Sequence, residues 1–117
     1  MGSGTRILFD FELQKNSINP SLINGYDRVE NTHIAVSLAV KSRTADAGLG
    51  VYSASKIYGL DFIPIAEEEY DFLTLERFIS DEKLDKFVKS LKNPDFIKRI
   101  DVLGGYSYDK IGDFSII

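Results

Sequence analysis

Cysteine is absent from the 117 residues, histidine occurs once and proline only three times. Without cysteine there is no disulfide framework and no thiolate metal site, although the compartment is not settled by that absence. One histidine argues against a zinc centre, because such sites draw on several nitrogen or sulfur ligands. No Gly-x-x-x-x-Gly-Lys phosphate loop and no Gly-x-Ser-x-Gly elbow is present, so the usual marks of nucleotide hydrolysis and of serine nucleophiles are missing. No apolar run approaches the roughly 20 residues of a membrane span, and no charged-then-apolar leader opens the chain. The expectation is therefore no membrane insertion and a cytoplasmic protein, or a periplasmic or extracellular one if a leader has been removed. Basic residues are outnumbered, 14 against 18 acidic, for a net charge of −4. Phosphate neutralisation needs a basic face, so direct nucleic-acid binding is not expected.

What is there is a folded composition: 44% hydrophobic residues, eight Phe and six Tyr. The length fits one domain able to bury roughly two-thirds of its unfolded surface.

The stretch around which the chain is organised is Gly2-Ser3-Gly4-Thr5-Arg6, followed by Ile7-Leu8-Phe9-Asp10-Phe11-Glu12-Leu13. Ser3 reads as the N-cap of an amphipathic helix over 4–15, with apolar positions 7, 8, 11 and 13. The first amides of such a helix lack internal partners and carry partial positive charge. Two glycines let an oxyanion approach the backbone, while Ser3, Thr5 and Arg6 can add donors. A Ser cap is also common with no ligand at all, and Met1-Gly2-Ser3-Gly4 has the composition of an added linker; Thr5-Arg6 fit no common tag.

Further along, Asn19-Pro20 starts a short helical turn ended by Gly25, and residues 26–29 read as extended. Thr32 caps a second helix over 33–42 whose apolar residues cover most of its circumference, with Ala35, Ser37 and Ala39 permitting close packing. His33 lies in its first turn, either as a structural histidine or as the bearer of an available backbone N–H. Residues 47–51 read as a strand whose Gly48 and Gly50 allow close approach. Tyr52 then stands at the carboxyl end of that strand, as a ligand donor or as a core-edge tyrosine with its hydroxyl in water. A short helix over 53–58 closes at Gly59. Strands are expected over 60–66 and 70–75, separated by the charge run 67–69. Ser80 or Asp81 caps a helix over 82–91 with the stripe Leu84, Phe87, Val88 and Leu91, and Asn93-Pro94 opens another with Phe96, Ile97, Ile100 and Leu103. Residues 113–117 read as a last strand or a tail.

Gly-Ser-Gly-Thr-Arg before a helix, Asn24-Gly25-Tyr26-Asp27, Thr32-His33-Ile34-Ala35-Val36, Ala45-Asp46-Ala47-Gly48-Leu49-Gly50-Val51-Tyr52, Gly59-Leu60-Asp61-Phe62-Ile63-Pro64-Ile65 and Tyr70-Asp71 resemble the periplasmic-binding-protein-like molybdate-binding domain. The resemblance implies an α/β chain with a type II periplasmic-binding-protein-like fold. It would comprise the second lobe (2–65) and the returning strand and C-terminal helices of the first (66–117), with the N-terminal lobe lacking before Gly-Ser-Gly-Thr-Arg. It implies non-catalytic binding of a tetrahedral oxyanion, molybdate or tungstate, by Ser3, Gly4, Thr5 and Arg6, by Thr32 and the His33 amide, and by the Tyr52 hydroxyl. No cofactor or metal is implied. Alternatives are a regulatory or interaction module of a molybdate-responsive transcription factor or cofactor-biosynthesis protein, and phosphate or sulfate binding. With the N-terminal lobe missing, the two apolar helix stripes would lack their expected partner, and are expected to dock on the second lobe or to pair with another copy in a homo-oligomer.

Overall fold

The computed structural model describes residues 3–78 and 82–113. They form five α-helices: α1 (Gly4–Lys15), α2 (His33–Lys41), α3 (Tyr52–Tyr58), α4 (Glu82–Leu91) and α5 (Pro94–Leu103), with 3₁₀ turns at Pro20–Leu22 and Glu76–Phe78. No β-strand occurs among the described residues, so the expected α/β type II architecture is corrected to a helical one. Residues 47–51, 60–66 and 70–75, expected as strands, have no ladder partner among the described residues. Strand propensity reports how well a residue suits a pleated, half-buried surface; here Ile63 is 83% and Leu73 87% exposed, and the described residues form no such surface. The expected cap at Ser80 or Asp81 and the end segment 114–117 lie outside the described residues.

The chain divides into two compact units, residues 1–62 and 63–117. In the first unit, caps set the helix starts. Ser3 Oγ accepts from the Arg6 N–H at 3.4 Å, and Thr32 Oγ1 from the Ala35 N–H at 3.1 Å. The inward face of α1 differs from the expected one. Leu13 is buried, whereas Ile7 and Phe11 are exposed; the inward row is Arg6, Phe9 and Leu13, with Phe9 against the Tyr26 ring. Helix α2 packs on α3. Small side chains permit this approach, with Ser37 and Ala39 buried on α2 and Ser53, Ala54 and Ser55 on α3. Ile34 and Leu38 face outward, so α2 is covered on one side and not around its circumference. Gly59 ends α3 in the left-handed conformation at φ 62, where a side chain would be strained.

In the second unit α4 and α5 pack on each other. Leu84, Val88, Leu91, Ile97 and Ile100 are half-buried, and Phe72 meets Phe87 edge-on at 5.0 Å. Tyr108 sits against Asp101, whose hydrogen bond, charge and accompanying desolvation push the phenol above its ordinary value, with Asp109 adding to the effect. A phenol raised by folding contributes stability below the ordinary tyrosine range that is lost as pH rises through the folded value. Tyr108 is therefore expected to ionise above the ordinary tyrosine range in an alkaline absorbance titration, and Asp101→Ala to bring it back towards that range.

Candidate functional site

Backbone donors collect at two helix starts in the first unit. In α1 the N–H groups of Gly4 and Thr5 precede the first intrahelical bond, while the Arg6 and Ile7 amides return to the Ser3 carbonyl at 2.9 and 3.1 Å. In α2 the His33 and Ile34 N–H groups hold the same position, since the Ala35 and Val36 amides are taken by Thr32. Such groups point along the helix axis, with the positive end of the dipole behind them.

Arg6 is held rather than loose. Its Nη1 donates to the Tyr26 carbonyl at 2.9 Å, its Nε pairs with Asp10 at 3.2 Å, and its guanidinium lies 4.0 Å above the Tyr26 ring. The Tyr26 hydroxyl completes the circuit by donating to Asp10 at 2.8 Å. The hydrogen bond with Tyr26 raises the Arg6 pKa most; desolvation works against it and Asp10 adds to it. The guanidinium is charged throughout, and Asp10 compensates that charge on the spot. What Arg6 does most visibly is fasten residue 26 to the first turn of α1.

From there Arg28 donates to the Thr44 carbonyl at 2.6 Å and pairs with Glu30 at 3.6 Å, so the 26–30 segment is tied to α1 at one end and to the turn after α2 at the other. Thr44 Oγ1 in turn donates to the Ala39 carbonyl at the end of α2. The capped start at Thr32 and His33 is thereby set in place by interactions well outside its own helix.

Loop 47–51 closes the other side. A Cβ on Gly48 would overlap Val36 Cγ1, and one on Gly50 would come 3.7 Å from His33 Nδ1. The loop thus lies on the α2 side chains and brings the half-buried His33 ring beside Gly50. Tyr52 follows as the first residue of α3, not the end of a strand. Its ring stands edge-on to Phe62 at 5.3 Å, and 40% of the residue is exposed. The structure therefore gathers Thr32, His33 and the approach to Tyr52 into one neighbourhood, while Ser3, Gly4, Thr5 and Arg6 form a second one fastened through Tyr26. Tyr26 and Asp10 were not singled out as functional residues by sequence. The signal for Asp10 was its spacing four residues after Arg6, a favourable separation for a helical ion pair.

Among the described residues no group of three or more His, Cys, Asp or Glu side chains could hold a metal ion, and no helix is long and apolar enough to cross a membrane. What the site offers is neutral hydrogen-bond donors.

Comparison with known proteins gives a family match, "PBP superfamily domain", over residues 1–92. The chain is 37% identical over 106 residues to a Bacillus subtilis protein described as "Uncharacterized protein YvgK"; the match takes in 90% of this chain and 33% of that one. It thus spans about a third of that relative's length. A Clostridium pasteurianum protein, described as uncharacterized and located in the 5′ region of a 2Fe-2S ferredoxin gene, is 26% identical over 107 residues, covering 91% of this chain and 95% of that one. No solved structure matches.

Proposed function

The chain belongs to the PBP superfamily, and from that premise we propose that it is a non-catalytic oxyanion-binding module whose ligand is molybdate or tungstate. The observation that carries the reading is the neighbourhood of Thr32, His33 and Gly50, where the capped start of α2 stands beside a loop that has no side chain at its nearest point. An oxyanion there would take the His33 and Ile34 amides, with the Tyr52 hydroxyl as a further donor. The start of α1 supplies the Gly4 and Thr5 amides and the Ser3 and Thr5 hydroxyls in the same manner. Arg6 serves that end by fixing residue 26 and lending a compensated positive charge.

The chemistry is exchange of hydration for preorganised neutral donors, with no covalent step. Donors on one side leave the opposite side of the anion in water, so the affinity of this chain alone is weak. Equilibrium dialysis against tungstate tests the reading. Thr32→Ala, which removes the cap that orients the first turn of α2, and Tyr52→Phe are each expected to reduce uptake. Uptake unchanged by both would place the anion elsewhere.

A regulatory role is compatible with the same chemistry, because an anion that stabilises one arrangement of the first unit can be read by an attached chain.

A further inference from the structure

The chain holds five asparagines, at 16, 19, 24, 31 and 93, and four of them are restrained by a hydrogen bond or by the residue that follows. Asn16 donates through Nδ2 to the Glu12 carbonyl at 2.8 Å and precedes Ser17. Asn19 and Asn93 accept through their side chains from the Ser21 and Asp95 amides at 3.0 and 2.8 Å, and each precedes a proline, which has no N–H. Asn31 precedes Thr32, whose branched, stiff side chain crowds its own backbone nitrogen.

Asn24 differs on both counts. It is exposed, its carboxamide meets no partner among the described residues, and glycine follows it. Gly25 is exposed as well and holds φ 81, with no atom within 4 Å of where a Cβ would stand. Its N–H makes no hydrogen bond among the described residues. The neighbouring turn bonds run from the Tyr26 N–H to the Ile23 carbonyl at 3.2 Å and from the Arg28 N–H to the Gly25 carbonyl at 2.9 Å.

We propose that Asn24-Gly25 is a self-modification site, at which the Gly25 nitrogen closes on the Asn24 carboxamide to form a succinimide that water reopens to aspartate or isoaspartate. The Gly25 N–H gives its proton to hydroxide, the nitrogen bonds to Asn24 Cγ, and the Cγ–Nδ2 bond breaks as the amide nitrogen takes a proton from water and leaves as ammonia. Water then adds to one of the two imide carbonyls. Breaking the nitrogen's bond to Cγ leaves aspartate; breaking its bond to the α-carbonyl carbon leaves isoaspartate, with the main chain running through Cβ and Cγ. Water and hydroxide complete the balance. The inference does not rest on the anion reading.

The free amide gives up no hydrogen bond when it ionises. Glycine accepts either sign of φ, and the open space around Gly25 lets the backbone turn towards attack.

The consequence falls on Tyr26. Its carbonyl accepts from Arg6 at 2.9 Å, and its ring lies 4.0 Å from the guanidinium. Aspartate at 24 adds one negative charge at an exposed position and leaves the main chain as it was. Isoaspartate inserts a main-chain atom inside the turn closed between Ile23 and Tyr26, which displaces the Tyr26 carbonyl from Arg6. The isomer therefore loosens the fastening of residue 26 to α1.

Incubation at mildly alkaline pH, followed by peptide mapping with mass spectrometry, tests the proposal. Asn24 is expected to convert ahead of the other four asparagines, into two isomeric products, and Asn24→Gln to leave that position unmodified. Because no hydrogen bond has to open first, the native rate is expected within about tenfold of that in the urea-unfolded chain. The isoaspartate fraction, separated chromatographically, should melt below the parent, whereas Asn24→Asp should melt with it. In an Arg6→Ala background, which has no fastening to lose, the gap between the two acidic forms should shrink. Conversion of any other asparagine as fast as Asn24, a native rate below the stated range, an isoaspartate form that melts with Asn24→Asp, or a gap unchanged by Arg6→Ala would overturn the proposal.

Discussion

Replacing Gly48 with valine is expected to destabilise the first unit by about 2–3 kcal/mol, the upper range for overpacking a fitted contact. A Cβ at this position would overlap Val36 Cγ1, with Val40 Cγ2 next at 3.7 Å. Val36 cannot swing clear cheaply, because a β-branched side chain on a helix has one strongly preferred rotamer. Either loop 47–51 lifts from α2 or the valine distorts. Lifting the loop also withdraws Gly50 from His33, so the structural and binding consequences coincide. A unit of about 60 residues loses roughly 4–8 °C of melting temperature per kcal/mol, which calorimetry resolves easily. Val36→Ala should partly rescue Gly48→Val. The favourable coupling in the double-mutant cycle is expected at about 1–2 kcal/mol, since the two side chains contend for one space. Additive effects would mean that the loop does not rest on α2.

Leu13→Ala is expected to cost about 2–4 kcal/mol, the range for removing a buried leucine side chain. Leu13, Ala39 and Ala54 are the buried hydrophobic residues among those described, and Leu13 is the one large member, 6% exposed. Its half-exposed surroundings can collapse partway into the space, which keeps the cost below that of a deep cavity. Ile7→Ala, by contrast, touches a residue that is 64% exposed and should stay within about 0.5 kcal/mol. Comparing the melting temperatures of the two variants establishes which side of α1 faces inward. Equal losses would contradict the Arg6, Phe9 and Leu13 row.

That contrast shows what can be read from the sequence. Helix ends were legible because they are local: Ser3, Thr32 and Asn93 cap by their own side chains, and Gly59 stops α3 by its own backbone. The inward face of α1 was not, because Ile7, Phe9 and Phe11 are equally apolar, and only the position of Tyr26 decides that Phe9 turns in. The strands were misread for a related reason. Residues such as Phe62, Ile63 and Ile65 have the propensity, but a strand exists only where another supplies its hydrogen bonds. The approach of loop 47–51 was legible from two glycines. What it approaches, the Val36 side chain and the His33 ring, depended on the packing of α2. The latch of Arg6, Asp10 and Tyr26 was half visible, the helical pair by its spacing and the tyrosine, which joins from outside the helix, not at all.

The measurement that tests the oxyanion reading most directly is thermal unfolding of this chain with and without millimolar molybdate, tungstate, sulfate and phosphate. A ligand that binds only the native state stabilises it by RT ln(1 + [L]/Kd), so even a weak anion registers when its concentration exceeds its dissociation constant. A rise in melting temperature with molybdate and tungstate, absent with sulfate and phosphate and removed by Ser3→Ala combined with Thr5→Ala and Thr32→Ala, is the predicted result. An unchanged melting temperature with all four anions would contradict binding by this chain.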